Sequence, residues 1–367
     1  MKKTNNLFYI FLMLLFVVSC ENNDLTSENQ ISSFDQFLSM QDGLITLKSG
    51  AVVEKKDNQF YFQGDMLLSK EQLMTLDEKG DFITEEFGEA DNESNIHPVY
   101  NVPVEAGEDG IAIPRAFGLY PTPYNMWAMV RFVYAPNLTA DRRNTIRLAL
   151  QHWEANTNVR FYNATGQPTV DPTYGFAYPY IEFVNGTGNS SHVGRIGGRQ
   201  AVNIAAWQPT SVAIHEIGHA IGLRHEQSRY DRDNSININL ANVPVANRHN
   251  FNKYTTNYYA VGSIDYNSVM MYDSDAFAIN PAIPVMTKKS DGSTWNGGNV
   301  LSNSDRAWAN SIYIPYIARS DTYRELAPVV YKSDNTIMTA AERLAFQSYL
   351  NYGNPNPPNC CRLPNTF

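Results

Sequence analysis

His215-Glu216-Ile217-Gly218-His219-Ala220-Ile221-Gly222-Leu223-Arg224-His225, continuing as Glu226-Gln227-Ser228-Arg229-Tyr230-Asp231-Arg232-Asp233, decides how the rest of the chain is read. On an α-helix, residues four apart stand on one face, so His215 and His219 aim two imidazoles at one point. Glu216 then sits beside that point without having to bind there, which suits a general base. Gly222 accepts positive φ and lets the chain leave the helix, so that His225 closes the site from another direction. Three neutral imidazoles around Zn2+ leave one coordination position open, whereas a fourth permanent protein ligand makes a closed, structural site. A buried helix with incidental histidines accounts for a bare H-E-x-x-H pattern, but not for Gly222 and His225 at their offsets. The chemistry implied is hydrolytic, because zinc brings the pKa of a bound water from about 15.7 to about 7 and a neighbouring carboxylate can take the proton.

The extended pattern resembles that of the metzincins, and Glu226 with Gln227, Arg229, Asp231, Arg232 and Asp233 makes it similar to the astacin family. A second island, Asp265-Tyr266-Asn267-Ser268-Val269-Met270-Met271-Tyr272, resembles the astacin Met-turn, although family members usually have histidine where Met271 stands. The resemblance covers roughly residues 123–313. It implies an α+β metzincin fold: a two-lobed catalytic domain in which a twisted sheet and long helices frame a cleft with one Zn2+ per chain. Protein or peptide is the implied substrate. Met270 is implied beneath the metal, and Tyr272 as a tyrosine that binds zinc and swings away, its hydroxyl then donating to the developing oxyanion. Glu226 is implied as the residue near which the amino terminus freed by activation is buried. Pro284-Val285-Met286-Thr287-Lys288 resembles the segment lining the pocket just after the scissile bond, which makes Lys288 a candidate for attracting an acidic side chain, against the alternative of a solvated lysine.

Upstream, Phe62-Gln63-Gly64-Asp65 resembles the F-x-G-D element of astacin pro-peptides, whose aspartate takes the metal position that water needs. Asp65 is therefore the candidate zymogen ligand, although Gly-Asp pairs are common in ordinary turns. Arg115 in a Pro/Gly-rich stretch is the candidate activation site, with Ala116 as the new first residue. Lys2 and Lys3 precede an apolar run at 7–18 that suits a secretory signal and is too short to span a membrane comfortably. Val17-Val18-Ser19-Cys20 then resembles a bacterial lipobox and makes Cys20 the candidate for a lipid anchor to the membrane; an ordinary signal peptide is the alternative. The expected division is 1–19 signal, 20–115 tether and inhibitory pro-segment, 116–313 catalytic domain and 314–367 an extension of no recognised kind.

Composition is consistent with a substantial core, at 43% hydrophobic and 18% charged residues. A net charge of -9 and the absence of any Lys/Arg run argue against nucleic acid as a partner. The three cysteines are Cys20 and the adjacent Cys360 and Cys361, so no internal disulfide framework is available. Astacin domains usually carry two disulfides; the resemblance puts Asn158, Asn189 and roughly Gln208 where three of those cysteines would stand. The fold is therefore expected to rest on packing and zinc.

Periodicity predicts a strand at 127–134, a helix at 139–157 capped by Thr139 with Ile146, Leu150 and Trp153 on one face, and strands at 159–162, 180–184 and 201–206. The zinc helix is predicted to start near Pro209, and further helices are predicted at 303–313 and 339–352. His97, His152, His192 and His249 read as surface or core residues rather than ligands. Ser228 and Ser268 lack a suitable base, so a serine hydrolase has no support. The expectation is an exported, lipid-anchored zinc metalloendopeptidase made as a zymogen. The alternative, from another class, is a surface lipoprotein that keeps the zinc fold as a binding module without turnover.

Overall fold

The computed structural model describes residues 33–81, 116–119, 126–173, 175–255, 258–320 and 323–351. The expected signal segment, Cys20, His97, Arg115 and the Cys360-Cys361 pair lie outside the described residues. The chain forms two compact units, 1–39 and 40–367. The described part of the first is a single short helix, α1 (Ser33–Ser39).

In the second unit, four short strands, β1 (Gly43–Thr46), β2 (Val52–Lys56), β3 (Gln59–Phe62) and β4 (Met66–Leu67), form an antiparallel meander. Helix α2 (Lys70–Lys79) follows, started by a Ser69/Gln72 capping box and ended by Gly80 at φ +77°. After β5 (Ala116–Leu119) come β6 (Val130–Tyr134), helix α3 (Ala140–Asn156), β7 (Phe161–Asn163), β8 (Tyr180–Asn185), β9 (Ser190–His192) and β10 (Arg199–Ile204). Thr139 caps α3 through its side chain, and Ile146, Ala149, Leu150 and Trp153 make its buried stripe. The strand expected at 159–162 begins only at Phe161. Before it, the Asn158 N–H is taken by the Asn310 side chain and the Val159 N–H by Thr157 Oγ1, so neither is free for a ladder.

These strands join one nine-stranded sheet in the order β1-β2-β3-β4-β9-β10-β8-β6-β7. β10, β8, β6 and β7 run parallel, β9 is antiparallel to β10, and β4 lies parallel on the other edge of β9. Residues 43–67 thus extend the sheet of the following domain rather than forming a separate body, which their short and only moderately apolar sequence did not announce.

Helix α4 (Thr210–Ile221) packs against α3, pinned where the Trp153 indole N–H donates to the Ile214 carbonyl at 3.1 Å. Gly222 ends it at φ +119°, and a Cβ there would stand 3.0 Å from both Met126 and Trp308. Beyond it, β11 (Ile236–Ile238) pairs with β13 (Met286–Lys288), and β12 (Tyr258–Val261) pairs with β5. This half is packed around Ile236, Val243, Phe251, Met271, Met286 and Trp295. Helix α5 (Asn303–Ile312), the hairpin β14 (Tyr316–Ser320) and β15 (Tyr323–Leu326), and helix α6 (Ala340–Leu350) complete the described chain.

The two asparagines at the expected cysteine positions cross-link the fold by hydrogen bonds. Buried Asn158 exchanges bonds with the backbone of Tyr331, donating to its carbonyl at 2.8 Å and accepting from its N–H at 2.8 Å, while its own N–H donates to Asn310 Oδ1 at 2.7 Å. Asn189 Oδ1 accepts from the Ala205 N–H at 2.8 Å. A directional clasp therefore adds to packing at the end of α3 and ties residues beyond 313 to the domain before them. Asn158→Ala leaves the Tyr331 backbone groups without these partners and is expected to lower the unfolding free energy by about 1–3 kcal/mol; an unchanged urea midpoint would contradict the clasp.

Candidate zinc site

The helical spacing of His215 and His219 brings their rings to centroids 4.7 Å apart, and the turn at Gly222 brings His225 to 4.7 Å from His219. The other ring nitrogens decide which lone pairs face inward. His215 Nδ1 lies 2.8 Å from the Val269 carbonyl and His219 Nδ1 lies 2.8 Å from the Leu223 carbonyl. A carbonyl only accepts, so each Nδ1 carries the proton and each Nε2 offers a lone pair.

Asp65 completes the group. Its Oδ1 is 3.2 Å from His225 Nε2 and 3.5 Å from His219 Nε2, and its Oδ2 is 3.4 Å from His215 Nε2. One ligand atom from each of these four residues lies within 4.8 Å of all the others, and no other such cluster occurs among the described residues. Three inward imidazole nitrogens and a carboxylate oxygen are the donor set that zinc takes, and the buried His215 Nε2 has no hydrogen-bond partner among the described residues. The residues fit the metal.

The polypeptide's own charges drive these groups apart in pKa. Burial opposes ionisation of Asp65, but the His225 charge and the close approach of the three imidazoles outweigh it and hold the carboxyl well below its usual range. Burial likewise opposes the charge on His215, which Asp65 nevertheless raises to about 9, whereas burial takes His219 down to about 4. Glu216 is buried with Oε2 unpartnered among the described residues, and burial followed by the Asp65 charge pushes it well above the usual carboxylate range.

The second island lies against the first. A Cβ on Gly218 would stand 2.8 Å from Met270 Sδ, so the glycine inside the motif is what allows the methionine to pass under the helix. Buried Asp305 at the start of α5 accepts from Ser268 Oγ at 2.6 Å and from the Val269 N–H at 2.9 Å, fixing the loop that supplies the Val269 carbonyl. Glu226 is 1% exposed, accepts from the Asp265 N–H through Oε1 at 2.9 Å, and has Oε2 unpartnered among the described residues. Burial, opposed by Arg229, raises its carboxyl to about 8. The Tyr272 ring lies 4.6 Å from that of His225, and its hydroxyl donates to the Gln63 carbonyl at 2.9 Å.

Lys288 lies on β13 with its ammonium 4.8 Å from the Tyr266 ring centroid, and is not among the residues lining the cleft of about 710 Å³ around Asp65, His215 and Tyr272. His192 Nδ1 approaches the Ala201 carbonyl, His152 Nε2 accepts from the Leu301 N–H, and His249 lines the cleft.

Two contacts escaped the sequence reading. Gln63 and Gly64 take φ of +47° and +92°, a left-handed pair that turns the Gln63 carbonyl toward Tyr272 and presents Asp65. The fully buried Arg224 stands 4.0 Å over the Tyr254 ring and 3.5 Å from Asp81. An arginine at an interior position of an otherwise apolar turn was the available signal for a buried partner.

The family model for astacin peptidases matches residues 120–314, more than half of the 367. Flavastacin of Elizabethkingia meningoseptica is 38% identical over 179 residues, covering 48% of this chain and 38% of that protein. Zinc metalloproteinase nas-38 of Caenorhabditis elegans is 32% identical over 233 residues, covering 62% of this chain and 27% of its own length. The chain thus spans well under half of either relative. The solved structure of High choriolytic enzyme 1, a hatching enzyme zinc-protease from Oryzias latipes, matches with a TM-score of 0.45 at 29% identity, covering 52% of this chain and 94% of that one.

Substitution of a single imidazole should empty the site, whereas loss of the hydroxyl that meets Gln63 should leave metal content alone. Purified His219→Ala is expected to fall from about one zinc per chain to below about a tenth, with Tyr272→Phe unchanged, by elemental analysis after gel filtration. Retention of zinc by His219→Ala would contradict the donor set.

Proposed function

Because the chain belongs to the astacin family, we propose that it is a zinc metalloendopeptidase that hydrolyses peptide bonds and is made in a latent form. The observation that carries this reading is the convergence of His215, His219 and His225 on one point beside Glu216, with the Asp65 carboxylate 3.2–3.5 Å from all three rings. Zinc held there supplies an acidified water and a Lewis acid for the carbonyl under attack. Glu216 takes the water proton and hands it to the leaving amine. The Tyr272 hydroxyl donates to the oxyanion as negative charge builds on the carbonyl oxygen.

Latency follows from what the pro-segment occupies. Asp65 fills the position that water needs, and burial together with the Asp65 charge pushes the Glu216 carboxyl well above the usual carboxylate range. The Gln63 carbonyl engages the Tyr272 hydroxyl, and β4 covers the edge of β9. Activation requires a cut near Arg115-Ala116 and departure of 33–81. Support for that bond comes from β5: the Arg224 N–H donates to the Phe117 carbonyl and the Leu119 N–H to the Gly222 carbonyl, so Ala116 continues beside the segment that leads to Glu226 and its unpartnered Oε2. Export with a lipid anchor on Cys20 rests on residues 2–20 alone, and an acid-attracting role for Lys288 on its sequence context alone. Residues 314–351 act as a structural part of the catalytic domain, held by the Asn158 clasp.

On casein after limited proteolysis of the linker, Glu216→Ala is expected to lose about 10²–10⁴-fold in rate at equal zinc loading. Equal rates would remove the peptidase reading and leave the binding-module alternative. Asp65→Ala is expected to cleave casein before any processing; a variant inert until cut would move the inhibition elsewhere.

A further inference from the structure

Gln63 does more than turn its carbonyl toward Tyr272. Its side chain is 1% exposed, sunk against the 3-10 helix Val245–Phe251 and the residue that follows it, where Nε2 donates to the Asn252 carbonyl at 2.9 Å. Beside it, Asn250 is 3% exposed and lines the catalytic cleft; its Nδ2 is 4.0 Å from where a Cβ on Gly64 would stand, and its Oδ1 has no donor among the described residues. The two residues preceding the Asp65 ligand therefore cover a polar hollow at the edge of the cleft. When 33–81 leaves, the Asn252 carbonyl loses its donor and Asn250 loses its cover.

We propose that this hollow is a substrate side-chain subsite selecting a residue that donates hydrogen bonds, with Asn250 as a specificity-determining residue. The proposal rests on the peptidase reading and adds what the cleft selects. The buried, unpartnered Asn250 Oδ1 demands a donor, and the Asn252 carbonyl, on an exposed residue, can likewise only accept, so an entering side chain that meets them must donate. Glutamine, lysine and arginine meet that condition. Glutamate does not: its carboxylate would face Asn250 Oδ1 in a cleft that also carries Asp273 and Asp275, and no lysine or arginine is among the described residues lining that cleft. Gln63 satisfies the hollow only in part, since its own Oε1 is unpartnered among the described residues. A purely donating group fits better than the carboxamide that sits there in the latent form.

The test uses the activated full chain on peptides varied at each position around the scissile bond. At one position, glutamine, lysine and arginine are expected to exceed glutamate by about tenfold in kcat/KM, mostly through KM. Asn250→Leu should shrink that ratio toward one, and Asn250→Asp should widen it for lysine and arginine. A merely structural Asn250 would scale all peptides alike. An active enzyme without such a position, or with a ratio that neither variant moves, overturns the proposal. A second measurement needs no turnover: calorimetric binding of synthetic peptides spanning residues 60–68, native and with Gln63→Glu, to the activated chain. The glutamate peptide is expected to bind about tenfold more weakly; equal affinity overturns the subsite. A chain that hydrolyses nothing yet separates the two peptides would sink the peptidase reading and keep the hollow.

Discussion

Three imidazole lone pairs held toward one point are the constraint on which the rest of the molecule depends. A neutral ring offers its lone pair only from the nitrogen that lacks the proton, so something must hold the proton on the far side. For His215 and His219 that is done by the carbonyls of Val269 and Leu223. Those carbonyls belong to the Met270 loop and to the turn after α4, so the site exists only when both are in place. Gly218 admits Met270 under the helix, Gly222 turns the chain toward His225, and Asp305 anchors the loop from α5. Fold and chemistry share the same bonds here.

The same centre explains why residues 43–67 are built as an extension of the sheet. A carboxylate among three imidazoles is easily lost if it hangs on a flexible arm, because ordering that arm costs entropy. Residues 43–67 meet that cost by pairing as strands, with Val53, Phe60, Met66 and Leu67 buried and β4 docked on β9. Farther along, Asp81 stands against the buried Arg224, one residue before the third histidine. Breaking such a pair strands a charge away from water. In the proposed activation, departure of the segment is thus a cooperative event, because a cut between 81 and 116 leaves the strand pairing in place.

How far the sequence could be read follows from the range of each interaction. The histidine cluster was legible because helix geometry converts a spacing of four residues directly into a shared face. Gly222 and the Thr139 cap were legible for the same local reason. Asp65 was readable only through its resemblance to a short family element, and the fold puts that carboxylate beside rings 150 and more residues away. What stayed hidden is long-range and polar: Tyr272 to Gln63, Asn158 to Tyr331 and Arg224 to Asp81 are separated by 209, 173 and 143 residues, and no periodicity marks them. The strands at 43–67 were missed because they are two to five residues long and gain their stability from an edge supplied by β9. Lys288 is conspicuous in sequence, and the fold sets its ammonium over Tyr266, outside the lining of the cleft around Asp65 and His215.

Zinc X-ray absorption on the protein before and after processing tests the central claim most directly. The account predicts three imidazole donors in both forms, and a carboxylate donor that is present in the latent chain and gone once residues 33–81 have been removed. A spectrum with fewer than three imidazoles, or a carboxylate that persists in the processed and purified enzyme, would contradict it.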